Sequence, residues 1–184
     1  MSARRLTVVL LAIAAGAAGA GAGGLLETGD GEPSSGGDGA GGAVGRVVKV
    51  VDGDTIHVQV GATREKVRYI GVDTPETKHP TKGVQCYGQR ASDFNASLVA
   101  DEQVRLVRDV EERDRYGRLL AYVSLPDGRG GWERYNDELL RDGWARLLVI
   151  APNGRYARAM LDEELAARSA RRGLWAACSA TDGG

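Results

Sequence analysis

Beyond residue 45, apolar positions fall into short alternating runs separated by turn residues. Residues 46–51 read as a strand. Residues 55–60 alternate with Ile56, Val58 and Val60 on one face, and Asp52-Gly53-Asp54 turns the chain between the two runs. A third strand is predicted over 64–72, stopped at Asp73-Thr74-Pro75-Glu76 because proline cannot donate to a ladder. The stretch 77–84, with Lys78, Pro80, Lys82 and Gly83, reads as an exposed loop. Apolar spacing then becomes helical over 88–100, where Ala91, Phe94, Leu98 and Val99 recur. Strands are predicted over 103–110 and 119–125, with a turn at 114–117. Further helices are predicted over 132–143 and 156–172, the last stopped by Gly173.

The order βββαββαα contains no alternating βαβ scheme, which disfavours a parallel sheet. The expected class is α+β, mainly β: a five-stranded barrel of the oligonucleotide-binding (OB) type with three packed helices.

Ahead of this pattern the chain changes character. Arg4 and Arg5, an apolar run over 6–15 and small residues over 16–24 follow the order of a secretory signal, and the apolar run is short for a membrane span. Residues 1–20 are therefore expected to be a signal peptide, the alternative being a retained N-terminal anchor. Of the 27 glycines, 13 precede Arg46, and residues 21–45 are too poor in apolar groups to offset chain entropy, so they read as a flexible linker. The folded domain is expected over 46–178, with a short disordered tail over 179–184.

Charge and cysteine content refine this picture. Setting aside Arg4, Arg5, Glu27, Asp30, Glu32 and Asp38 leaves 22 basic and 21 acidic residues, a net of about +1. A broad polycationic surface is not expected, so a nucleic-acid partner would have to be held by local charges and a metal. Cys86 and Cys178, in a chain with an export pattern, suggest one disulfide, the alternative being two free thiols.

Asp54 ends the Asp-Gly-Asp turn, Asp73 and Glu76 end the third strand, and Arg68 lies just behind them. If the second and third strands pair as a hairpin, Asp54 and Asp73 converge, and converging carboxylates repel unless a cation or proton lies between them. With no His or Cys beside them, their oxygens suit a hard cation such as Ca²⁺ or Mg²⁺. The plainer reading is that these acids are turn residues, with Arg68 as their salt-bridge partner.

The stretches Val51-Asp52-Gly53-Asp54-Thr55, Val67-Arg68, Val72-Asp73-Thr74-Pro75-Glu76-Thr77-Lys78-His79-Pro80 and Asp114-Arg115-Tyr116-Gly117-Arg118 resemble the staphylococcal nuclease (thermonuclease) family. The similarity continues through Lys82-Gly83-Val84, Tyr87-Gly88, Leu120-Ala121-Tyr122, Pro152-Asn153 and Trp175, covering about 46–177. The resemblance implies Ca²⁺ as cofactor, bound by the carboxylates of Asp54 and Asp73 and the carbonyl of Thr74, with Asp52 supporting that shell through water. It implies that Glu76 is the general base and that Arg68 and Arg118 grip the scissile phosphate. Lys82, Arg115 and Tyr116 match positions lining the nucleotide groove; His57 and His79 match no catalytic role.

Two departures stand out. Where the family pattern has tyrosines beside the bound base, this sequence has Leu148 and Ile150, and Cys86 has no counterpart in the type enzyme. The expected function is a secreted endonuclease acting on DNA and RNA, a monomer with no obligate protein partner, leaving 3′-phosphate ends. It would meet a membrane only if the N-terminal segment is retained. The alternatives are a catalytically silent OB-fold nucleic-acid-binding module, and a tethered calcium-binding or protein-interaction domain.

Overall fold

The computed structural model describes residues 42–77 and 83–179. The signal-like segment 1–20, the linker up to residue 41, Lys78, His79, Lys82 and the tail beyond Ser179 lie outside the described residues.

Five strands close on themselves. In chain order β1 (Ala43–Val50), β2 (Thr55–Val60) and β3 (Thr63–Tyr69) form an antiparallel meander. The free edge of β1 pairs with β5 (Gln103–Val107), which pairs with β6 (Leu119–Pro126). A short parallel ladder, Val67 to Tyr69 against Leu119 to Ala121, joins β3 to β6 and seals the barrel. Closure leaves neither of these strands an open edge. Inward residues from every barrel strand, among them Val47, Ile56, Val67, Leu106 and Val123, are at most 2% exposed. The register of β1 shifts at a bulge between Val47 and Lys49, and β6 is buried on both faces from Ala121 to Ser124.

Several elements depart from the expected boundaries. β1 starts at Ala43, inside the stretch read as linker, because Ala43 to Arg46 complete a ladder with β5. The third strand divides: Ile70 donates to Ala121 O, Gly71 takes φ +78°, and the chain leaves the barrel as β4 (Gly71–Asp73). A side chain at Gly71 would meet Met160 Cε at 2.5 Å, so the turn is tied to glycine both by conformation and by packing. β4 pairs with β8 (Arg146–Leu148), a strand that the apolar pattern does not reveal. The predicted strand over 103–110 ends at Val107.

The expected helix over 132–143 begins as strand. Asp127 Oδ1 accepts from Arg129 N and Gly131 N, both at 2.8 Å, turning the chain so that β7 (Trp132–Arg134) pairs with β6. Only Tyr135–Arg141 is helical (α2). Helices α1 (Gly88–Val99) and α3 (Ala157–Ser169) lie where periodicity predicts, and a one-turn helix α4 (Leu174–Ala177) follows.

Cys86 and Cys178 form a disulfide across a sequence separation of 92. It ties the segment before α1 to the end of α4. Phe94 and Tyr87 both stack on Trp144, fixing α1 against the segment after α2.

Candidate active site

The Asp52-Gly53-Asp54 turn sits at one end of the barrel, where β2 begins and β3 ends. Thr55 faces Arg68 in the hairpin register, and Asp54 O accepts from Tyr69 N at 3.0 Å. Gly53 is required because a Cβ there would lie 2.6 Å from Thr74 Oγ1. That close approach brings Thr74 onto the buried Asp54 carboxylate: Oδ2 accepts from Thr74 N and Oγ1, both at 3.0 Å, and Oδ1 accepts from Thr55 Oγ1 at 3.1 Å. From beneath, the fully buried Asn95 of α1 donates to Asp52 O at 2.6 Å and accepts from Tyr69 OH at 3.1 Å.

Arg68 joins the carboxylates. Its Nε lies 3.2 Å from Asp54 Oδ1 and its Nη2 lies 3.2 Å from Asp73 Oδ1, while Nη1 donates at 2.7 Å to the carbonyls of Tyr69 and Val72. The guanidinium therefore both staples the β3–β4 turn and brings the two acids to one place. Burial, then the charge of Asp54, pushes the Asp52 carboxyl up to about 6. Burial and Asp54 also raise Asp73, against the opposing pull of Arg68. These acids are crowded beyond what one guanidinium neutralises.

The donors on offer, the carboxylates of Asp54 and Asp73 and the carbonyl of Thr74, are all oxygen and so suit a hard cation, although among the described residues no group of three or more His, Cys, Asp or Glu is placed to hold a metal ion. Such a set leaves coordination positions for water and substrate.

Glu76 is exposed, at the exit from β4, and close enough to raise Asp73 electrostatically. Its backbone is clamped on both sides by Gln85: Glu76 N donates to Gln85 Oε1 at 2.7 Å, and Glu76 O accepts from Gln85 N at 2.9 Å.

Beside these acids opens a cavity of about 450 Å³ lined by Arg68, Arg115, Tyr116, Arg118, Leu148 and Ile150, among others. Arg118 is aimed by Asp114, which accepts from its Nε at 2.6 Å and from its backbone N at 2.9 Å. Burial raises the Asp114 carboxyl, but the hydrogen bonds from Arg118 outweigh it and hold the group below its usual value. The two terminal nitrogens of Arg118 make no hydrogen bond among the described residues. Tyr116 is 68% exposed, with the guanidinium carbons of Arg115 and Arg118 at 4.8 and 5.5 Å from its ring centre. Leu148 and Ile150 are 39% and 64% exposed, an apolar wall where a base could lie.

The structure thus gathers Asp52, Asp54, Arg68, Asp73 and Thr74 at one barrel end and Arg115, Tyr116 and Arg118 at the adjoining cavity, with Glu76 at the rim. Lys82 lies outside the described residues. Sequence reading gave no role to Asn95 or Gln85 and named Asp114 and Asn153 only as parts of motifs. Asn153 pins the cavity wall by pairing with both backbone groups of Glu111, at 2.7 and 2.9 Å. Only Asp114 had a visible signal, an acid four residues before Arg118.

Known proteins share much of this sequence. Residues 66–177 match the family described as Staphylococcal nuclease homologue. The chain is 41% identical over 130 residues to the thermonuclease of Staphylococcus hyicus, covering 71% of this chain and 74% of that protein. It is 40% identical over 129 residues to the thermonuclease of Staphylococcus intermedius, with 70% and 74% covered. It is also 41% identical over 129 residues to endonuclease YncB of Bacillus subtilis, with 69% and 59% covered. On the family match and these relatives, this chain belongs to the staphylococcal nuclease family.

Proposed function

We propose that this chain is a nuclease: a calcium-dependent endonuclease that hydrolyses phosphodiester bonds of DNA and RNA on the 5′-oxygen side, leaving 3′-phosphate ends outside the cell. The observation that carries the reading is the juxtaposition of the Asp54–Arg68–Asp73 cluster with a cavity into which Asp114 aims the unbonded terminal nitrogens of Arg118. The thermonuclease and endonuclease relatives support nuclease chemistry. The Cys86–Cys178 disulfide supports an oxidising compartment, as does the signal-like pattern over 1–20. The reading takes the chain as a monomer with no obligate protein partner.

When bound by Asp54, Asp73 and the Thr74 carbonyl, calcium would supply electrostatic stabilisation and a template for the phosphate. The chain's own groups do the rest. Arg118 donates its two terminal nitrogens to the phosphate oxygens that gain charge as water adds. Arg68, fixed at Nη1 and Nε, has one Nη2 hydrogen left to do the same. Glu76, at the rim, takes the proton of the attacking water. Asp52 supports the carboxylate cluster from behind, and Arg115 and Tyr116 flank the nucleotide.

Digestion of plasmid and RNA with Ca²⁺, Mg²⁺ or chelator tests this reading. Cleavage with Ca²⁺, lost in chelator, is expected; binding without cleavage would replace it with a silent binding module.

Two substitutions probe the parts. Asp54→Asn should weaken Ca²⁺ roughly tenfold, because a neutral amide replaces one of two charged ligands, and added calcium should restore activity only in part. Calcium titration beside initial rates checks this. Replacing Leu148 and Ile150 with tyrosine should tighten a nucleotide bisphosphate inhibitor by about 1 to 3 kcal/mol per stacked ring, with kcat changing less. Unchanged inhibitor affinity would mean that these side chains do not meet the base.

A further inference from the structure

A near-neutral fold concentrates unpaired positive charge on one face. In the hairpin register Lys49 faces His57, which faces Lys66, and Arg46 faces Gln59, which faces Arg64. The neighbours that alternate with them, Val47, Ile56, Val58 and Val67, are buried in the core, so these two rows stand on the outer face of β1–β2–β3. Lys49, Arg64 and Lys66 are exposed and make no ion pair or hydrogen bond among the described residues. Glu65, the acid between Arg64 and Lys66, turns the other way and is held by Arg113 at 2.7 and 2.9 Å. At the far end Arg46 donates through Nη1 to the backbone carbonyl of Asp101, so its guanidinium is tied down there. His57 registers the field: burial, then Arg64, Lys49 and Lys66, pushes its imidazole below the usual value.

This face leads to the active site. Arg64, Lys66 and Arg68 leave the same side of β3 at successive steps of about 7 Å, and Arg68 pairs with Thr55 beside Asp54. Three unpaired cations on one face, with the imidazole between two of them depressed by burial and by their charge, form a local positive field that an anion would relieve.

We propose that the outer face of β1–β2–β3, through Lys49, Arg64 and Lys66, is a phosphate track that holds the nucleic-acid backbone beyond the scissile bond. The proposal rests on the nuclease reading for its choice of occupant, and charge complementarity with a regularly spaced polyanion is its basis. The track contributes affinity and salt sensitivity for long substrates and nothing to the chemical step.

The test is the triple variant Lys49→Gln, Arg64→Gln, Lys66→Gln in the full chain, with circular dichroism to check folding. Affinity for an oligonucleotide is measured in chelator across salt concentrations. A single-nucleotide nitrophenyl phosphodiester reports kcat with calcium. The slope of log K against log salt should fall by about 2 to 3, close to 0.7–0.9 per lost contact, while kcat on the small ester stays unchanged. Should the triple variant misfold, Lys66→Gln alone should lower the slope by about 0.7–0.9. An unchanged slope overturns the track, as does a wild type that binds anionic lipid vesicles but no oligonucleotide. If the wild type cleaves neither substrate, the nuclease reading fails, while a lowered slope still supports the track.

Discussion

Arg118→Lys should lower kcat on the order of 100-fold or more, with little change in the folding midpoint. The substitution preserves charge but replaces a planar fork by a single ammonium, which cannot hold two phosphate oxygens at once. It also removes the 2.6 Å Nε bond to Asp114 that aims the guanidinium. Among the described residues the terminal nitrogens make no hydrogen bond, and Asp114 keeps those from the backbone N–H groups of Tyr116 and Arg118, so the fold should tolerate the change. Because the interaction strengthens as charge develops on the phosphate, kcat should fall more than KM rises. Steady-state kinetics on a defined phosphodiester, with thermal unfolding in parallel, decides the matter. A variant cutting at near wild-type rate would remove Arg118 from the phosphate and with it the main support for the proposed site.

Reducing the Cys86–Cys178 bond, or replacing both cysteines with serine, should cost about 4 to 5 kcal/mol of stability on the chain-entropy account, since the bond closes a long loop. For a domain of this size that corresponds to an unfolding midpoint lower by roughly 10–20 °C. A second consequence is local. Cys86 adjoins Gln85, whose side chain and backbone both hold Glu76, at 2.7 and 2.9 Å. Releasing the anchor should loosen the segment carrying the proposed base, so the protein that remains folded should turn over more slowly. Unfolding and rate measurements with and without reductant test both effects; coincident curves would show that the bond does not constrain the unfolded chain.

The alternating runs at Thr55–Val60 and along β3 were legible because one face of each is buried and the other is wet, which imposes a period of two on the sequence. The ordered motifs from Asp52 to Glu76 and from Asp114 to Arg118 were legible too, since their chemistry demands particular side chains. The helix expected over 132–143 was misread for a related reason: three residues of strand carry no period, and the ladder of Trp132–Arg134 with β6 is a long-range choice made by the Asp127 turn. β8 escaped notice because it is only three residues long and takes its partner from β4.

What the sequence by itself determined is the barrel's alternating strands and the identity of the acids and arginines, because burial and chemistry act on single positions. Only the tertiary structure decided that Asn95, Gln85 and Asp114 support those groups, because hydrogen bonds between distant segments leave no local pattern. It likewise decided the distribution of charge. A net of about +1 argued against a broad polycationic surface, and strand register decides that Lys49, Arg64 and Lys66 share one face. Net charge adds over the whole chain, whereas the field at a surface depends on which charges the fold makes neighbours.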